Sequence, residues 1–187
     1  MPRNRLYSFL ADAILLNDCV LGLLMDFHAT LAQLTRHPSF KAWHAKNKDY
    51  FLAHAFVLFD EANKDLWQIG FYHAKNEKMI TFIVSPDKVE HTEEQDVLKS
   101  TIALEKLEPD KVTIPIDDAL KTAHELFTKD YRAEKSIKQF FIIQTIEAKP
   151  VFNITYFTQS FKTVNIKIDA ANGKLIKADL QNLAEFG

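Results

Sequence analysis

The sequence predicts an α+β fold. Two similar halves, each a helix packed on an antiparallel sheet of three to four strands, follow a long N-terminal amphipathic helix. Three observations predict this. Apolar residues recur at alternating spacings of four and three from Leu6 to Leu34. Short runs such as LWQIGFY (Leu66 to Tyr72) and VFNITYF (Val151 to Phe157) alternate apolar and polar residues, as half-buried strands do. The segments holding these runs, His54 to Leu98 and Gln139 to Leu183, superpose without a gap at an offset of 85, which points to a duplication.

The chain of 187 residues suffices for one ordinary domain or two small ones. We divide it at residues 1–109 and 110–187, with the two units free to pack as one compact domain. A hydrophobic content of 47% beside 26% charged residues is globular and argues against disorder. The net charge of −2, with no long run of one sign, argues against a nucleic-acid footprint. One cysteine, Cys19, excludes an intrachain disulfide and a cysteine-rich zinc site.

The N-terminus joins Arg3 and Arg5 to an apolar stretch, as a signal peptide does. Asp12 interrupts that stretch and Asn17 and Asp18 follow, so neither a signal peptide nor a membrane span fits well. The expectation is a soluble, cytoplasmic chain without membrane insertion. Residues 6–34 read as one helix with a seam of Leu6, Leu10, Ala13, Asn17, Val20, Leu24, Phe27, Leu31 and Leu34. The seam covers the core or joins two copies as a homodimer.

His37-Pro38 ends this helix, and Ser39 to Ala45 forms a short second one. Tyr50 to Phe59 is a continuous apolar run, expected as a central strand buried on both faces. Leu66 to His73 alternates, with Trp67, Ile69 and Phe71 on one face. Met79 to Val84 follows as a third strand, and a short strand is expected around Thr101 to Leu104. The second half opens at Pro115, suited to a first helical turn, with Asp117 and Asp118 near the positive end of the helix dipole. Ile116, Ala119, Leu120, Ala123 and Phe127 make its apolar face. Strands follow at Ile137 to Ile146, Val151 to Thr158 and Thr163 to Asp169. Asn172-Gly173 turns the chain into a last strand, Lys174 to Leu180.

The stretch IPIDDALKTAHELF, followed by strands and the ending VNIKIDAANGKLIKADL, resembles a PepSY-type domain. That family pairs a short helix rich in acidic and alanine residues with an antiparallel sheet. Its last hairpin reads apolar-x-apolar-Asp-x-x-x-Gly-x-apolar, which Ile168, Asp169, Gly173 and Leu175 match. The resemblance covers Val112 to Leu183, with a fainter copy in the first half. PepSY-like domains are similar to cystatin-like folds, a helix lying on a curved sheet. The resemblance implies a non-catalytic module that binds or inhibits, often outside the cytoplasm.

Catalytic motifs are sparse. Four glycines leave no phosphate-binding loop, and no G-x-S-x-G elbow occurs. His124-Glu125 lacks a second histidine at Thr128, so a zincin helix is excluded. His28 lies nine residues from Cys19, about 13 Å along a helix, and cannot activate it there. The expectation is therefore no catalytic residues, no metal and no cofactor. The polar and aromatic groups to inspect in a pocket between helix and sheet are His54, Trp67 and His73, candidates for ligand binding. The leading reading is a non-enzymatic binding or protein-interaction module that self-associates. The alternative is a small-molecule-binding protein or modest enzyme with a pocket between helix and sheet. A third is a chaperone-like dimer holding a client along a sheet edge.

Overall fold

A computed structural model describes residues 26–60, 63, 66–97 and 103–183. It is α+β, with one large antiparallel sheet and three α-helices among the described residues. The chain begins with α1 (Phe27–Arg36) and α2 (Pro38–Lys46), followed by β1 (Phe51–Phe59), β2 (Trp67–His73) and β3 (Lys78–Val84). Two short strands come next, β4 (Val89–His91) and β5 (Gln95–Asp96). A 3₁₀ turn at Pro109–Lys111 leads to α3 (Ile116–Asp130). The sheet is completed by β6 (Ser136–Ile146), β7 (Lys149–Thr158), β8 (Lys162–Asp169) and β9 (Leu175–Asn182).

The strands run in the order β4-β3-β2-β1-β6-β7-β8-β9, with β5 also on β3. Every pairing is antiparallel, including β1 with β6, where Val57 lies opposite Phe141. The strands of the two expected halves thus form a single continuous sheet.

The helix expected over 6–34 does not run through residue 26. Asp26 has extended backbone (φ −55°, ψ 147°), and its carboxylate accepts from the His28 N–H at 3.0 Å and the Ala29 N–H at 3.3 Å. An aspartate in this role caps a helix and so ends it on the N-terminal side. The rest of the expected helix, residues 6–25, lies outside the described residues. At the other end His37 is extended and its ring accepts from the Ser39 N–H, so Pro38 starts α2 at a position that needs no N–H.

Helices and sheet share one core. Phe27 of α1 meets Trp67 at 6.1 Å between ring centroids. Phe40 of α2 lies 5.2 Å from both Phe71 and Phe82. Phe127 of α3 stacks on Tyr156 at 4.4 Å. Trp67 reaches Phe141 across the β1–β6 seam, at 5.4 Å. The buried face of α3 is the expected one, Ile116, Ala119, Leu120, Ala123 and Phe127. Val164, Ile166 and Ile168 also point inward as expected, all at 0% exposure.

Two strand readings change. The run at 50–59 is not buried on both faces: Ala55 and Val57 are buried, while His54, Phe56 and Leu58 are half-buried on the other side. A bulge between Leu52 and His54 lets Leu52 and Ala53 both face inward and turns Phe51 outward. Residues 103–104 form no strand, and 101–102 lie outside the described residues.

The offset of 85 keeps faces aligned for β2 and β7, where Trp67, Ile69 and Phe71 fall on Phe152, Ile154 and Tyr156, all buried. It sets half-buried Phe56 on buried Phe141, and half-buried Ile83 on buried Ile168. The reason is loop length: residues 60–66 connect β1 to β2 where Glu147 and Ala148 alone connect β6 to β7, and residues 74–77 connect β2 to β3 where 159–161 connect β7 to β8.

Candidate functional site

The three candidate ligand residues do not converge on one pocket. His54 is on β1, opposite Gly70 on β2 and Gln144 on β6, and faces away from the helices. Trp67 belongs to the alternate set on β2 and is wholly buried beneath α1. Strand alternation therefore puts His54 and Trp67 on opposite faces of the sheet. His73 ends β2; its Nδ1 accepts from the Asn76 N–H at 3.1 Å, and its ring meets Tyr50 edge-on at 5.0 Å. His73 thus holds the β2–β3 turn and a neighbouring tyrosine.

Burial lowers the His54 pKa from its ordinary value, because the charged ring would lose hydration on this face. The Tyr50 hydroxyl donates to Glu94, and its pKa is pushed up to about 12 by burial first and by Glu94 second. A phenol so stabilised is a poor acid at neutral pH; the pair anchors the loop before β5. Three buried polar atoms, Thr30 Oγ1, Trp67 Nε1 and Tyr156 Oη, have no hydrogen-bond partner among the described residues. No group of three His, Cys, Asp or Glu able to hold a metal ion occurs among the described residues.

A cleft of about 310 Å³ opens where the segment before α3 crosses the β6–β7 turn. Glu105, Lys106, Glu108, Lys111, Thr145, Ala148 and Pro150 line it. Its charges are largely engaged. Glu105 accepts from the Ala148 N–H at 2.9 Å, and Glu108 pairs with Lys111. Thr145 donates to the Lys106 carbonyl at 2.9 Å. Glu147 and Ala148 have φ of 51° and 61°, the positive values a two-residue hairpin demands, and the Glu105 contact holds that turn.

Sequence reading missed two apolar surfaces outside the core. The first is the sheet face opposite the helices. Phe56 and Phe140 touch there across the β1–β6 seam at 5.5 Å, and Phe140 meets Phe157 at 5.7 Å. Phe51 packs on Tyr72 at 5.6 Å. All five rings are half-buried. The signal for this face was the run at 50–59, whose outward positions Phe51, Phe56 and Leu58 are apolar too. The second surface is β9, where Leu175, Ile176 and Leu180 are 45%, 48% and 42% exposed. No described helix is long and apolar enough to cross a membrane.

No family model matches the chain, and no curated protein matches it. Among solved structures it is similar to a chain described as a "putative lipoprotein" from Clostridium difficile 630. The identity is 12% and the TM-score 0.50, over 76% of this chain and 90% of that one. At that identity the likeness is one of fold.

Proposed function

We propose that the protein is a non-enzymatic interaction module, built of two PepSY-like units and self-associating. The observation that carries this reading is the apolar surface left outside the core, on one sheet face and on one sheet edge. Exposed apolar surface in a folded chain costs solubility and is a mark of contact surfaces. The strand order supports the two-unit description. From the β1–β6 seam, β1-β2-β3-β4 and β6-β7-β8-β9 run outward in the same succession, each set preceded by helix. Val89–His91, a weak strand signal in sequence, occupies the position that β9 holds in the other set.

Light scattering over a concentration series tests the self-associating part. The expected result is a mass rising toward twice the 21.5 kDa of one chain. A constant single-chain mass up to about 1 mM, where association is worth only ~4 kcal/mol, overturns it.

A further inference from the structure

We propose that the outer edge of β9, around Ile176 to Leu180, is a self-pairing surface, on which two copies join edge to edge, antiparallel, about a twofold axis at Ala178. This rests on the self-associating reading above and assigns it a place and a register.

The two ends of the sheet differ. One end is cut into β4 of three residues and β5 of two, both on β3, with Lys88 paired to Glu90 beside the edge. Short, charged pieces of this kind resist strand addition. The other end is β9, eight residues long with a bulge at Ile176, and among the described residues its Leu175–Leu180 stretch pairs with β8 alone. It carries Leu175, Ile176 and Leu180 at 45%, 48% and 42% exposure. A strand of this length offers a second strand a row of backbone donors and acceptors.

The occupant follows from the order of side chains. The central residues are Ile176-Lys177-Ala178-Asp179-Leu180. Antiparallel pairing of two identical strands about Ala178 sets Ile176 opposite Leu180 of the partner subunit. It sets Lys177 opposite Asp179 of the partner subunit. The twofold repeats each pair, so within these five residues each charge meets its opposite and Ile176 meets Leu180, while Leu175 falls opposite Gln181 of the partner subunit. Within one chain Lys177 Nζ already lies 2.8 Å from the Asp179 carboxylate, with the lysine side chain 59% exposed. Self-pairing adds a second partner for each charge. An edge lysine ordinarily deters strand addition. Here it deters unrelated edges and accepts this one, which is how specificity is built. One strand edge is a small interface, below about 1,200 Å² in total, so the dimer is weak and concentration-dependent.

The test uses the full chain in three variants: Lys177→Glu, Asp179→Lys, and both changes together. Each single change sets like charges across the twofold at two places. Each is expected to weaken dimerisation about tenfold, given the usual worth of cross-strand charge pairs. The double exchange restores opposite charges and is expected to restore the wild-type mass curve. Circular dichroism checks that all three remain folded. If the single variants dimerise like wild type, β9 is not the surface, although self-association stands. If the double variant stays as weak as the singles, the register about Ala178 is wrong. A wild-type chain that is monomeric throughout overturns both this proposal and the reading beneath it.

Discussion

His54 on β1 lies flat over Gly70 on β2: a Cβ built on Gly70 would sit 2.3 Å from His54 Cε1. The two residues are directly opposite in the β1–β2 ladder. Glycine in a strand interior usually weakens it, and here its missing side chain gives the imidazole its place. Gly70→Ala therefore has to displace the ring, with an expected cost of about 1–2 kcal/mol. In a His54→Ala background the clash is gone, and Gly70→Ala becomes neutral or slightly stabilising, since alanine loses less backbone entropy on folding. A double-mutant cycle on denaturation midpoints measures this. Additive effects would show that the two side-chain positions do not compete.

The same ring predicts a pH dependence. Burial holds the folded-state pKa of His54 below the ordinary value of 6.5. Between 6.5 and that lowered value, the unfolded chain binds more protons at this site than the folded chain does. Stability then rises with pH, because the slope follows the excess of protons on the unfolded state. The contribution is intact above pH 6.5 and is lost as pH falls through the interval beneath it. Urea midpoints at pH 7.5, 6.5 and 5.5 should fall in that order, and His54→Gln should reduce the fall. An equal fall in the variant would assign the dependence to other groups.

The last turn shows how far its sequence could be read. Asn172-Gly173 predicts a turn, and Gly173 has φ of +74° there. The structure adds the part played by Asp169. Its carboxylate accepts from the Ala171 N–H at 2.8 Å and the Asn172 side chain at 3.0 Å, and its carbonyl accepts from the Gly173 N–H at 2.8 Å. The Asp-x-x-x-Gly spacing is thus explained by turn geometry. Gly173→Ala is expected to cost about 1 kcal/mol from the left-handed backbone alone, since Ile114 is no nearer than 3.9 Å to the added methyl. Asp169→Ala should cost a similar ~1 kcal/mol through its lost hydrogen bonds. Thermal melts of both variants check this; an unchanged Gly173→Ala would mean the turn relaxes freely.

Local chemistry of this kind is legible because a few adjacent residues decide it. The inward set Val164, Ile166 and Ile168 could be read for the same reason, since alternation alone assigns it a face. Two features resisted. The apolar seam running past residue 26 gave no warning that Asp26 would cap a helix, because capping depends on backbone angles that spacing does not reveal. His54 and Trp67 fall on opposite faces of the sheet, which spacing did not reveal because faces are set by strand partners. His54 is tied to Gly70 and Gln144, while Trp67 pairs with Val84 at the far end of β3. Such pairings join residues distant in sequence, and a bulge at Leu52 shifts them further.

Tyr156 offers a test of the core's polar accounting. Its ring is 3% exposed and stacks on Phe127, yet its hydroxyl has no partner among the described residues. Burial alone pushes its pKa upward, so the phenol stays protonated at all ordinary pH values. A buried hydroxyl without a partner has lost its hydration and gained nothing in return. Tyr156→Phe keeps the stacking and removes the hydroxyl. It is expected to leave the melting temperature unchanged or to raise stability by up to ~1 kcal/mol. Tyr156→Ala, which empties the space beneath α3, should cost about 3–5 kcal/mol. A loss above ~1 kcal/mol in Tyr156→Phe would mean that the hydroxyl is bonded in solution, with a water molecule in the core as its partner.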